Sequence, residues 1–285
     1  MSKFLGIIGG SGLYEMEGLQ NIDEVNVSTP FGDPSDSIIT GTLDGMKMAF
    51  LPRHGKGHRL TPSEINYRAN IWALKSLGVD TLIGVSAVGS MKEEIVPGDL
   101  VVPHQFIDRT KGRISTFFGG GIVGHVAFAD PVCHALADLV SKGAATTGAR
   151  VHQGGTYICM EGPQFSTRAE SNLYRSWGVD VIGMTNIPEA KLAREAELCY
   201  STVALATDYD CWHEDEEDVS LESILKIMHK NVENAKSAIA WATRHMGEKE
   251  ECACGEALKF AIVTDKSVIP DKVKADLGPI IGKYV

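Results

Sequence analysis

The chain has 285 residues, 44% hydrophobic and 22% charged, an ordinary composition for a globular protein with enough length to bury a large core. Its formal net charge of -10 argues against a nucleic-acid surface, which needs clustered Lys and Arg. No apolar run reaches the roughly 18 residues of a membrane span, and no secretory leader opens the chain, so a soluble cytoplasmic protein is expected.

Residues 3–8 predict a first strand, closed by the Gly-rich turn Gly9-Gly10-Ser11-Gly12. A dinucleotide fingerprint fails in register, because Glu15 falls where the third glycine belongs. Two readings are left: a turn whose amides and Ser11 hydroxyl approach an anion, or a plain strand-to-loop turn. Residues 38–42 and 46–51 predict a hairpin through Asp44-Gly45. Arg53-His54-Gly55 follows, with Lys56, His58 and Arg59 close behind. This basic cluster in an acidic chain suits a phosphate-sized dianion, with Arg53 binding it bidentately; a solvated basic loop is the alternative. Thr61-Pro62-Ser63-Glu64 carries a capping box with Pro in the first turn, predicting a helix from there to Gly78. Residues 79–86 predict the next strand. Its end, Ser86-Ala87-Val88-Gly89-Ser90, is small enough for backbone N–H groups to face a ligand. Residues 99–107 read as one further strand.

The second half repeats this alternation. A helix is expected from Asp130-Pro131 to Gly143, then a long strand over 150–160 interrupted by Gly154-Gly155. Phe165, in Glu161-Gly162-Pro163-Gln164-Phe165-Ser166, is suited to stacking on a flat ring or to plain core. Thr167 to Glu170 forms a second capping box. A short strand over 179–183 leads into Met184-Thr185, with a helix over 188–197. Residues 199–205 predict a buried strand, and Asp208 and Asp210 lie just beyond it. Two carboxylates so spaced would project to the same side of a partly apolar rim. One would be a proton donor of raised pKa and the other an ionised acceptor, a pair that can hold a nitrogen heterocycle and help it leave. A solvated Asx-turn is the alternative. Ser220 begins the longest helix.

With no internal repeat or linker, the pattern predicts a single α/β domain over 1–285: a mixed, mostly parallel central sheet flanked by helices, with 243–285 as a C-terminal extension. Six cysteines scatter through apolar segments as expected for reduced thiols. The Cys252-Ala253-Cys254 pair lacks a second ligand pair nearby in sequence, so no metal is expected, and a disulfide there is left open.

Gly9-Gly10-Ser11-Gly12, Thr29-Pro30-Phe31-Gly32, Arg53-His54-Gly55, Asn66-Tyr67-Arg68-Ala69-Asn70-Ile71-Trp72-Ala73-Leu74, Glu161-Gly162-Pro163-Gln164-Phe165-Ser166 and Ala206-Thr207-Asp208-Tyr209-Asp210-Cys211-Trp212 are each weak signals. Their order and spacing closely resemble the 5'-methylthioadenosine phosphorylases, in the trimeric branch of the purine nucleoside phosphorylases. The resemblance runs over about residues 4–242.

It implies the nucleoside phosphorylase fold and phosphate-dependent cleavage of methylthioadenosine, with phosphate as co-substrate and no cofactor. It also implies that Ser11, Arg53, His54, the Ala87 amide and Thr185 hold phosphate, with Ser86 in the same turn. Met184 would pack on the ribose and Phe165 on the purine. Asp208 would donate at N7 and Asp210 accept from the 6-amino group. Ser166 and Leu221 fall at substrate-choice positions, and Leu221, Ile224 and Leu225 would wall a methylthio pocket. His125 resembles a histidine reaching into a neighbouring subunit of a trimer or dimer of trimers. Where the family usually has Thr, this chain has Ser11, which keeps the hydroxyl; where it usually has Arg, Gln164 removes a charge. The competing expectations are a phosphorylase of 6-oxopurines, which Asn at position 208 would favour, and a non-catalytic nucleoside-binding module.

Overall fold

The computed structural model describes residues 4–213 and 221–285, with the side chains of residues 11 and 221–225 outside that description. Its strands are β1 (Phe4–Gly9), β2 (Gln20–Val25), β3 (Ile38–Leu43), β4 (Met46–Pro52), β5 (Thr81–Ser90), β6 (Leu100–Val102), β7 (Gln105–Arg109), β8 (Val151–Gln153), β9 (Thr156–Met160), β10 (Val181–Gly183) and β11 (Cys199–Asp208). All join one sheet of order β2-β3-β4-β1-β5-β10-β9-β7, while β11 and then β6 and β8 branch from β5. The pairings are mixed but mostly parallel, as the alternating sequence predicts.

The branch at β5 positions everything that follows. β1 pairs with β5 only over 81–84, whereas β11 accompanies the other edge of β5 as far as Gly89. On the first edge, β10 takes over at Gly89 and Ser90. Residues 85–88 therefore have a strand on one side and a gap on the other, where the sheet splits. Such a switch point is where open α/β sheets place ligands.

Helices α1 (Tyr67–Ser76), α4 (Asn186–Glu195) and α7 (Gly278–Ile281) cover one face; α2 (His134–Ala145) and α5 (Leu221–Arg244) cover the other. Helix α6 (Asp271–Asp276) meets the first face through Val273, and α3 (Arg168–Ser176) packs through Tyr174 in a smaller cluster with Val179 and Trp212. Leu74, Leu192 and Ile281 meet the first face, and Leu136, Val140 and Ile239 the second. Residues beyond 242 share both cores through Met246, Leu258, Ile269 and Ile280. Among the described residues no helix is long and apolar enough to cross a membrane.

Several boundaries differ from those the pattern predicts. Thr61 and Glu64 do bond to each other, but they close a turn: the Thr61 amide and hydroxyl both donate to the Glu64 carboxylate. The helix starts at Tyr67, capped by Asn66, whose side chain also donates to the Phe31 carbonyl. The expected strand over 99–107 is two, β6 and β7, broken at Pro103-His104; that over 150–160 is β8 and β9, broken where Gly154 and Gly155 adopt φ of 95° and 85°. Gly143 does not end α2, which runs on to Ala145. A Cβ there would sit 2.6 Å from the Ala238 carbonyl oxygen, so this glycine lets α2 and α5 approach closely. The polar strand β2 has no apolar alternation to announce it. The capping box at Thr167 and the Asp44-Gly45 turn form as predicted. The Cys252-Ala253-Cys254 pair is not isolated, because the fold brings Cys133 and Cys199 beside it.

Candidate active site

At the split in the sheet lies a cavity of about 570 Å³, in the range of small-molecule sites. Arg53, His54, Ser86, Ala87, Phe165, Met184, Thr185, Asp208 and Asp210 all line it. Residues as far as 157 positions apart in sequence, Arg53 and Asp210, thus converge because β4, β5, β10 and β11 all end there. Gly10 lines the cavity too, and the Ser11 side chain falls outside the described residues. So do the side chains of Leu221, Ile224 and Leu225, although their helix reaches the cavity through Met228. His125 is exposed and lies away from this cavity.

Arg53 is built differently from the expected open grip. It is 2% exposed, and its fork is turned on the buried Glu189: Nε donates at 2.8 Å and Nη2 at 2.9 Å. Nη1 donates to the Val85 carbonyl and Nη2 also to that of Ile8. Burial works against the charge, but Glu189 more than reverses that effect, so the guanidinium stays charged. A guanidinium has five N–H groups, and these bonds use four. The bidentate partner is therefore Glu189, and among the described residues these bonds leave one N–H for an anion.

The strand geometry supplies another donor. In extended backbone the N–H and C=O of one residue point to the same edge and reverse at the next. The Val85 carbonyl faces Arg53 across the gap, while the Val88 carbonyl accepts from Thr207 on β11. The Ala87 N–H, two residues after Val85, consequently faces the gap. Ser86 lines the cavity, but its hydroxyl donates to Asn186 Oδ1 at 2.8 Å and is not a donor to an anion in this arrangement. Asn186 is itself fixed by donating to Tyr200 and Thr202.

His54 Nδ1 lies 2.8 Å from the Leu60 carbonyl, and a carbonyl can only accept, so Nδ1 carries the proton. Burial pulls the imidazole pKa down to about 4; the Leu60 bond opposes this and the Arg53 charge adds to it. At neutral pH His54 is uncharged, with Nε2 as an acceptor. A charged imidazolium beside the guanidinium is thus not what the chain builds.

At the opposite rim, β11 carries a bulge: Ala206 pairs with Val88 and Asp208 with Gly89, leaving Thr207 as the extra residue. Bulges re-aim side chains at sites. Asp208 Oδ1 accepts from the Asp210 N–H at 2.8 Å, and Oδ2 lies 2.7 Å from the Thr207 hydroxyl, sharing its one hydrogen with the Val88 carbonyl at 3.2 Å. Asp210, at φ 52°, sits in a turn after the strand. The Asx-turn and the paired carboxylates, alternatives in the sequence, are one object. Burial raises the Asp208 pKa; the Thr207 and Asp210 hydrogen bonds oppose it and the Asp210 charge adds to it. Asp210 accepts from the Ser166 hydroxyl at 2.8 Å and the Ser171 hydroxyl at 2.6 Å. Phe165 is 82% exposed at the mouth, so it is not core.

Two buried positioning groups had little or no sequence signal. Glu189 is visible only as an acidic residue in a helix. Arg113, in an irregular loop, donates to the carbonyls of Met184 at 2.6 Å, Ile187 at 2.9 Å and Glu161 at 2.6 Å, and so holds the turn that carries Met184 and Thr185.

A family model described as the phosphorylase superfamily matches residues 4–242. The S-methyl-5'-thioadenosine phosphorylase of Geobacter sulfurreducens is 62% identical over 286 residues, covering 100% of both chains. The crystal structure of a methylthioadenosine phosphorylase sourced from an Antarctic soil metagenomic library superposes with a TM-score of 0.94 at 48% identity, covering 98% of this chain and 99% of that one. A variant of the adenosine/methylthioadenosine phosphorylase of Schistosoma mansoni, in complex with methylthioadenosine, superposes with a TM-score of 0.82 at 36% identity, covering 90% and 96%.

Proposed function

Because this chain belongs to the phosphorylase superfamily and, within it, to the S-methyl-5'-thioadenosine phosphorylases, we propose that it cleaves methylthioadenosine with phosphate, reversibly, to adenine and 5-methylthioribose 1-phosphate. The observation that carries this reading is a carboxyl of raised proton affinity, Asp208, in the same cavity as the last free N–H of a buried arginine. A proton donor for a leaving base and an anion site for the nucleophile are what phosphorolysis of a glycosidic bond requires.

In this mechanism phosphate sits between the remaining Arg53 N–H, the Ala87 N–H, Thr185 and Ser11. The neutral His54 accepts the phosphate's own O–H at Nε2. Met184 packs on the ribose and Phe165 on the purine. A phosphate oxygen bonds to C1' as the C1'–N9 bond breaks, and positioning with charge stabilisation supplies most of the acceleration. Asp208 passes its proton to N7, so adenine departs neutral; the proton lost by phosphate restores Asp208 through solvent. Asp210, held by Ser166 and Ser171, accepts from the 6-amino group. A 6-oxopurine would bring an acceptor against that carboxylate and be disfavoured. No step calls on an organic cofactor or a metal.

The 5' pocket is assigned to Leu221, Ile224 and Leu225 of α5, with His125 from a neighbouring subunit of a homotrimer or dimer of trimers. Exposed Val123, Phe260 and Val263 support an interface on the face of His125, whose N–H is bonded to the Ala261 carbonyl. A cytoplasmic enzyme of methionine and purine salvage fits these substrates. A panel of methylthioadenosine, methylthioinosine, adenosine and inosine, each with and without phosphate, tests the reading. Adenine released equally fast without phosphate means a hydrolase; faster inosine-type cleavage means a 6-oxopurine enzyme; no release at all means a binding module.

A further inference from the structure

Four cysteines distant in sequence meet at the far end of β11 from the chemistry. Cys133 is the N-cap of α2, Cys199 is the first residue of β11, and Cys252 and Cys254 come from the segment after α5. Their Sγ atoms all lie within 4.8 Å of one another, with Cys199 and Cys252 at 3.3 Å. All four are free thiols. From this geometry we propose that Cys133, Cys199, Cys252 and Cys254 form a tetrahedral thiolate site for a structural zinc ion.

The dimensions suit that ion. Zinc–thiolate bonds of about 2.3 Å set the edges of an S₄ tetrahedron at about 3.8 Å, which the observed separations reach with shifts of an ångström or less. Four sulfurs with no other donor select zinc over harder divalent ions. The surroundings favour thiolate. Cys133 stands where the first N–H groups of a twelve-residue helix are directed, and Lys249 Nζ lies 3.4 Å from Cys252 Sγ and 3.7 Å from Cys199 Sγ. A zinc tetrathiolate carries two negative charges, and the Lys249 ammonium offsets one of them as an outer-shell donor. Four thiols binding one Zn²⁺ release four protons, with no change of oxidation state.

The site has a mechanical consequence. It ties the C-terminal segment to the start of β11 and to α2, pinning residues beyond α5 onto the sheet. Cys199 and Asp208 are the two ends of one ten-residue strand, so about 30 Å separates the tetrad from the catalytic cavity. Removing a ligand should therefore alter folding stability and leave turnover nearly untouched. This reading does not depend on the proposed function.

The test uses the full chain, made with zinc in the medium and purified anaerobically with a phosphine reductant. Elemental analysis should find about one zinc per chain in the wild type and less than about one-tenth in Cys252→Ser and Cys254→Ser. Cobalt exchanged into the wild type should give the intense thiolate charge-transfer and d–d bands of a tetrahedral S₄ site. The variants should melt several degrees lower, with turnover within about twofold of wild type at 25 °C. If the variants do not fold, zinc content and cobalt spectrum of the wild type still decide the matter. Fewer than about one zinc per five chains would overturn the proposal, as would disulfides among these four cysteines in a parallel preparation made without the reductant, its free thiols alkylated at lysis.

Discussion

Glu189→Ala asks whether a buried ion pair organises the anion end of the cavity. The Glu189 carboxylate accepts from Arg53 Nε at 2.8 Å, Arg53 Nη2 at 2.9 Å and the Tyr200 hydroxyl at 3.0 Å. The two side chains are 2% and 1% exposed, so water does not replace the missing partner. Removing one member of such a pair strands a charge in low dielectric and costs about 3–5 kcal/mol. That is a large part of a typical domain stability of about 5–15 kcal/mol. With a urea slope of about 3 kcal/mol per molar, the unfolding midpoint should fall by about 1–1.7 M. The comparison is made at one protein concentration, since subunit association shifts apparent stability. Glu189→Gln keeps the volume and one acceptor and should lose less, while KM for phosphate rises in both variants as the free Arg53 N–H loses its aim. A loss below about 1 kcal/mol for Glu189→Ala, the value of an exposed pair, would refute the argument.

Asp208→Ala should lower kcat on methylthioadenosine by about 10²–10⁴-fold, the usual contribution of a positioned acid, and near-normal turnover would remove Asp208 from the mechanism. Since the donor works only when protonated, kcat/KM in the wild type should fall as pH rises through the raised Asp208 pKa; a profile flat on that side would point to another proton source. His54 titrates near 4 in the folded chain and near 6.5 unfolded, so on acidification the unfolded chain takes the proton first. Its neutral burial is thus fully compatible with folding above pH 6.5 and costs stability as pH drops toward 4; urea midpoints of wild type and His54→Gln should diverge over that window, and parallel curves would contradict the assignment. Leu221→Asp should impair methylthioadenosine far more than adenosine, and equal losses in kcat/KM would exclude Leu221 from the 5' pocket.

Much of the cavity was legible because its ligating groups sit at strand ends, where local pattern is informative. Asp208, His54, Met184 and Thr185 all line it. What local pattern misjudged was the state of those groups. Arg53 looked like an open fork, yet a second buried charge 136 positions away had already claimed it. Ser86 looked free, but Asn186 holds its hydroxyl. The Thr61 box has the pattern of a helix start, but the true start is capped by Asn66, which also bonds to a loop more than thirty positions earlier.

Period, capping and turn chemistry act over a few residues, so the sequence alone determines the run of strands and helices, the α/β class and the residues poised at the strand ends. Pairing of β5 with different neighbours along its two edges opens the gap, and only the tertiary structure decides that. The same holds for the neutral His54, the raised Asp208 and the meeting of four cysteines. Burial and proximity across more than fifty residues are properties of packing, and no local pattern encodes them.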